Sequence, residues 1–305
     1  MSRSTQLQFF KDYISFEEVP LSLQEIEAQE VWQHIYDKKI IFNKKYGTCV
    51  SQIYHDGIEI LNLNRNCIPT LSDFNSLLNP YGWQAVWIPG YVPGHIYSGL
   101  IANKCFPIAK NIRKLSHLDY SPIPDFIHDV YGHLPLIFDN NYSSFLIAIS
   151  QQLAQAQDNE FDQRLYLAQK NIAELQALDT DPHTERYIKA DLEFQDAIAL
   201  SNQYPSEKTY LSRMFLWTIE FGLIGDKNNF KIIGAGILSS FEEGLCALNG
   251  LITIKAFDSD NTQYGFDYFS EKQKFLFVAT SVDEYLQILK HYKACKVLDL
   301  QVELK

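Results

Sequence analysis

Pro124-Asp-Phe-Ile-His-Asp-Val-Tyr-Gly-His-Leu-Pro-Leu136 sets two histidines five residues apart in a largely apolar run, and Phe215-Leu-Trp-Thr-Ile-Glu-Phe-Gly-Leu223 carries one carboxylate in its middle. Two imidazoles and one carboxylate make up the ligand set that holds non-haem Fe(II) with positions left open for oxygen chemistry. Pro124 suits a first helical position and Asp125 a first turn, so His128 is expected about one turn into a short helix. On a straight helix of 3.6 residues per turn, His133 would be rotated roughly 140° away from His128. Gly132 and Pro135 flank it, so the helix can end or bend there and bring both rings to one point. The spacing differs from that of His-Glu-x-x-His zinc proteases, whose histidines share one helix face. Asp125 is expected to face His128 as the acceptor that fixes the tautomer of a metal-bound imidazole. Spacing alone fits two ordinary histidines near a helix end equally well.

Glu220 shifts the balance. Apolar residues occupy nearly every side of its helix, and a buried carboxylate is costly unless it is paired, hydrogen-bonded or bound to a metal. It therefore needs a cation, with Arg213 or a lysine elsewhere as the alternative to a metal.

The 305 residues can bury a substantial core, and 46% hydrophobic with 21% charged residues is ordinary for a globular protein. A net charge of -11 argues against nucleic acid, whose binding rests on Lys and Arg contacts to phosphate. No run approaches the apolar length of a membrane span, and Met1 to Asp12 has no apolar signal core, so a cytoplasmic protein is expected. Cys49, Cys67, Cys105, Cys246 and Cys295 are odd in number and lack a Cys-x-x-Cys pair, which favours free thiols over a disulfide framework or a zinc knot.

Residues 1–22 read as a loosely held arm, and residues 23–305 as one mainly helical catalytic domain (mainly α, α+β) with small β-sheets. A helix is expected over Leu23 to Phe42, with Ser22 and Glu25 at capping-box spacing. Asp56-Gly57 between Val50 to Tyr54 and Ile58 to Leu63 predicts a hairpin. Pro69 to Leu78 reads as helix, and the Gly/Pro-punctuated stretch from Tyr81 to Gly94 as a strand running into a structured loop. From about residue 145 to 205 the pattern is helical, polar and free of Gly, with turn signals at Asp179 to Pro182: a helical excursion of the same domain. Phe241 to Leu248 reads as helix and Phe275 to Ala279 as strand. Ser281 and Glu284 open a further helix, and Val297 to Leu304 partly alternates like a half-buried strand.

With these motifs in place, Pro124 to Leu136, Thr218 to Leu223 and Gly234-Ala-Gly-Ile-Leu-Ser-Ser240 together resemble the catalytic domain of the pterin-dependent aromatic amino acid hydroxylases, in the short bacterial form. Ile68-Pro69, Tyr81-Gly-Trp83, Pro89-Gly90, Phe106-Pro107 and Ile112-Arg113 extend the similarity to roughly residues 28–290. The resemblance implies Fe(II) held by His128, His133 and Glu220. It implies a tetrahydropterin near Gly90, Tyr91, Val92, Tyr97, Asp129 and Phe215. It also implies a free aromatic L-amino acid (Phe, Tyr or Trp) hydroxylated on its ring with O2. Arg113 falls where the family clamps the substrate carboxylate, a task suited to a planar guanidinium. Tyr120, Ser121, Pro124, Leu216, Phe221 and Ser239 match substrate-pocket positions. A monomer or dimer is expected.

Four departures stand out from the family pattern. Asp129 replaces a usual Glu at a position that contacts the pterin through water. Tyr97 replaces the stacking Phe. Leu216 stands at a position that is Trp in most phenylalanine and tyrosine hydroxylases and smaller in tryptophan hydroxylases, which leaves room for an indole. The span from His133 to Glu220 is longer than the family's. Two other readings use the same residues: a zinc hydrolase with Asp129 as general base, and a binding or scaffold protein that keeps the fold without turnover.

Overall fold

The computed structural model describes residues 7–17, 25–119, 121, 124–265 and 273–303. The long helix α1 (Glu25–Tyr46) follows the expected span, while Ser22 lies outside the described residues. Ala28, Val31, Trp32, Ile35 and Lys39 recur at helical spacing on its buried face. Lys39 is the odd member of that stripe. Its ammonium donates to the Leu238 carbonyl and lies 5.9 and 5.8 Å from the Tyr54 and Tyr131 ring centroids. Burial, with Arg113 nearby, pulls its pKa down from 10.5 to about 7.

The predicted hairpin is replaced by helix α2 (Gln52–Leu61), capped by Ser51, whose hydroxyl accepts from the Ile53 N–H, and closed by Asn62 in the left-handed region. Tyr54, Gly57 and Leu61 form its buried stripe. Gly57 serves close approach and not a turn, because a Cβ there would lie 1.9 Å from the Pro135 carbonyl oxygen. The Asp-Gly turn signal thus loses to a helical repeat that packs α2 directly onto the histidine-bearing segment.

Helix α3 (Leu71–Leu78) opens with a Thr70/Asp73 capping box, then β1 (Gln84–Ile88) runs into the Pro89 to Pro93 loop as expected. Through α4 (Gly94–Ala102) the chain returns as β2 (Cys105–Ala109), paired in parallel with β1 from Gln84↔Cys105 to Ile88↔Ala109. Residues 7–17 are not a loose arm. Leu7 is buried with Val86, Ile88, Ile96 and Leu100, Phe10 packs against Gly99, and Ser15 bridges Trp87.

Helix α5 (Phe126–His128) carries the first histidine. The excursion comprises α6 (Asn140–Gln155), α7 (Glu160–Ala177) and α8 (Glu185–Gln203), before α9 (Glu207–Phe215) carries the chain toward Glu220. Helices α7 and α8 form a hairpin around their own apolar cluster of Ile172, Leu175, Ala190 and Phe194. The second sheet has the order β4-β3-β6-β5, from β3 (Leu223–Asp226), β4 (Asn229–Ile232), β5 (Thr253–Ala256) and β6 (Phe275–Ala279). Between β4 and β5 lie α10 (Ala235–Ser239) and α11 (Phe241–Leu248). The final helix α12 (Val282–Glu303) replaces the predicted terminal strand, since no Gly or Pro after Ser281 interrupts it. The architecture is mainly helical with two small sheets, around a core that buries Trp32, Trp83 and Trp217 almost completely.

Gly57→Ala is expected to lower stability by about 3 kcal/mol, because the added methyl meets backbone. Gly94→Ala, with open space at its Cβ, serves as the neutral control in thermal unfolding. Lys39 predicts a slope with pH. Between its folded value of about 7 and its ordinary 10.5, only the unfolded chain binds the proton, so burial of the amine costs less as pH rises. Denaturant titrations should therefore show the stability of Lys39→Met relative to the parent falling between about pH 7 and 10.

Candidate metal centre

His128 ends α5, whose N-cap is Asp125, and the chain then widens into a π turn over Asp129–His133 before tightening into a 3-10 turn over Leu134–Phe138. A second π turn, Leu216–Glu220, follows α9 and closes with the Phe221 N–H on the Leu216 carbonyl at 2.9 Å. Such i→i+5 turns bring residues five apart toward a common face, which offsets the rotation a straight helix would impose on the two histidines. The expected bend is thus a change of helical pitch. Gly132 lets the widened turn sit on α10, since a Cβ there would lie 2.6 Å from the Ala235 carbonyl oxygen.

His128, His133 and Glu220 converge, with one ligand atom from each lying within 4.8 Å of the others. The two Nε2 atoms are 3.1 Å apart. Glu220 Oε1 lies 3.0 Å from His133 Nε2, and Oε2 lies 3.5 Å from His128 Nε2. Adjacent ligands on an octahedral ion with bonds of about 2.1 Å stand about 3 Å apart, so the donor set fits one transition-metal ion with an open face.

The electrostatics agree with that fit. Burial alone would raise the Glu220 pKa, but the two imidazoles outweigh it and hold the carboxyl well below the usual range. For His133 burial is likewise overcome, here by Glu220, and its pKa rises. Burial dominates at His128 and lowers it to about 4. The Ser239 hydroxyl donates to the Gly236 carbonyl, so it accepts from His128 Nδ1 at 2.8 Å. That bond places the proton on Nδ1 and leaves the Nε2 lone pair facing the centre.

Asp125 does not hold the imidazole. It accepts the His128 backbone N–H at 3.0 Å, and the rest of its capacity goes to Arg113, through the backbone N–H, Nε and the second guanidinium nitrogen at 2.8, 3.0 and 2.8 Å. A buried carboxylate beside a buried guanidinium takes the bidentate pair over a neutral ring. Arg113 is therefore no surface charge. Asp129 is buried, accepts the Ala109 N–H at 2.8 Å, and burial pushes its pKa up to about 7.

Of the aromatic candidates for the pterin, Tyr97 stands beside the ligands. Its ring centroid lies 6.5 Å from that of His133 and 6.3 Å from Phe215, which meets it edge-on. Phe221 approaches Gly236 beside Glu220. Leu216 and Ser121 are half-buried, Pro124 is exposed, and Tyr120 lies outside the described residues. Gly90 has φ 111°, Val92 packs on the arm cluster, and Tyr91 stacks on Tyr166 of α7. Ser239, expected in the substrate pocket, spends its hydroxyl on His128. Two neighbours of the site escape the sequence reading. Neither Lys39, whose ammonium donates to the Leu238 carbonyl, nor the buried Tyr142, whose electrostatic partners include Glu220, was picked out from the residues.

The sequence profile of the biopterin-dependent aromatic amino acid hydroxylase family matches residues 2–169 and 190–304. Phenylalanine-4-hydroxylase of Vibrio cholerae is 29% identical over 74% of this chain and 61% of its own length. The Ralstonia nicotianae protein of the same name is 28% identical over 83% of this chain and 66% of its own. This chain therefore spans a little under two thirds of these relatives. The crystal structure of Chromobacterium violaceum phenylalanine hydroxylase with bound Fe(III) superimposes with a TM-score of 0.71, covering 99% of this chain and 93% of that one at 22% identity, a likeness of fold. Among the described residues no helix is long and apolar enough to cross a membrane. On the profile match across nearly its whole length, the chain belongs to the biopterin-dependent aromatic amino acid hydroxylase family.

Proposed function

We propose that this protein hydroxylates the ring of a free aromatic L-amino acid with O2, using Fe(II) and a tetrahydropterin, with phenylalanine as the favoured substrate. The convergence of His128, His133 and Glu220 carries the proposal. Relatives named phenylalanine-4-hydroxylase support phenylalanine over the tryptophan to which the small Leu216 leans. When bound, the metal and the pterin supply the activation of O2. The protein's part is to hold and orient. Ser239 keeps His128 in the metal-ready tautomer, and Tyr97 and Phe215 offer ring faces beside the ligands. Among the described residues, Arg113 spends Nε and one N–H of each terminal nitrogen on Asp125 and Leu118. Two of its five donors are left, as a bidentate grip on the amino acid carboxylate requires.

The zinc hydrolase reading is set aside. The matching family is one of biopterin-dependent aromatic amino acid hydroxylases, not of hydrolases.

Mass spectrometry of phenylalanine, tyrosine and tryptophan reactions should show a ring-hydroxylated product that requires Fe(II), tetrahydropterin and O2; no product from any of the three, with iron bound, would overturn the proposal. Ser239→Ala should weaken metal affinity about 10- to 100-fold, read by metal titration without turnover. Arg113→Lys keeps the charge opposite Asp125 but loses the fork. It should raise KM for the amino acid by about tenfold or more, with the KM for pterin little changed.

A further inference from the structure

The α7–α8 hairpin reaches back onto both loops that flank the ligands. At its base the two ends meet, with Lys208 Nζ 3.2 Å from Asp158 and Asn159 Nδ2 donating to the Tyr204 carbonyl at 2.9 Å. Along its length Tyr166 stacks on Tyr91 of the loop after β1, centroids 5.7 Å apart and planes at 24°. At its tip Asp179, with φ 53°, places its carboxylate 2.7 Å from Lys114 Nζ and 2.8 Å from His117 Nε2.

Lys114 and His117 lie inside a short loop whose two ends are tied to each other, since the Arg113 guanidinium donates to the Leu118 carbonyl at 3.3 Å. The His117 N–H closes a turn on the Lys114 carbonyl at 2.9 Å, and the Leu115 N–H donates to Glu27 at 3.1 Å. One carboxylate from the hairpin thus grips two side chains of the loop that carries Arg113. Asp179 also falls in residues 170–189, the stretch that the family profile passes over, so this brace belongs to the chain's own insertion.

The geometry points to Asp179 as a positioning residue for amino acid binding: through Lys114 and His117 it holds the 113–118 loop so that Arg113 presents its remaining donors to the substrate carboxylate. The inference rests on the proposed function. Asp and Asn both tolerate the left-handed region, so Asp179→Asn removes the charge with little disturbance of the turn.

In Asp179→Asn, KM for phenylalanine should rise about fivefold, the scale of a half-exposed ion pair with two partners, while kcat and the KM for pterin stay within about twofold. Anaerobic calorimetry of the iron-loaded protein should show the same loss in phenylalanine affinity without turnover. Lys114→Gln should weaken binding less, since the His117 contact remains, and the double variant should be no worse than Asp179→Asn alone, as expected when both act through one carboxylate. Raising salt to about 0.5 M should weaken the parent toward the variant and leave the variant less affected. Parent binding with an unchanged Asp179→Asn, or full additivity in the double variant, would overturn the inference alone. Failure of the parent to bind any of the three aromatic amino acids would overturn the functional reading and this one with it.

Discussion

A half-buried carboxylate held opposite two imidazoles is the constraint around which this molecule is arranged. Glu220 sits in an apolar stretch, where an ionised group is tolerated only against positive charge. The protein supplies that charge from a segment far away in the chain, through His133, with the neutral His128 beside it. Without a metal the raised basicity of His133 lets a shared proton play the cation's part. Metal binding must displace that proton, so the same charge balance that permits the fold also shapes affinity for the ion.

Packing follows from the need to bring these segments together. Helix α2 lies against the 3-10 turn after His133, and α10 lies against the π turn that holds it; both approaches require a missing side chain, at Gly57 and Gly132. The Arg113–Asp125 pair is the second buried charge couple, and it ties the loop before α5 to the N-terminus of the histidine helix. One residue, Asp125, thereby sets the direction of the first ligand helix and of the guanidinium beside it. Breaking a buried pair of this kind strands its partner's charge, which ties its integrity to folding as much as to binding.

The ligand set, the mainly helical class and most helices and strands could be read from the residues, because each rests on a local signal: a cap, a repeat, an acid among apolar neighbours. The failures share a cause. Asp56-Gly57 carries a turn signal that tertiary packing overrode, and Val297 to Leu304 alternates weakly within an uninterrupted run of helix formers. The allegiance of Asp125 was decided by Arg113, twelve positions earlier, whose burial no periodicity announces. The π turns that align the histidines leave no compositional mark beyond Gly132 and Pro135. The grip of Asp179 on Lys114 and His117 is a contact across 65 residues that only the folded chain reveals.

The apolar cluster inside the α7–α8 hairpin has a wider implication. A unit that brings its own nucleus and leaves and rejoins the domain at neighbouring points behaves as a transplantable cassette, since lengthening a loop adds only slowly to the entropy of closing it. Residues can therefore be added between the second histidine and the glutamate without altering the relative pose of the three donor groups.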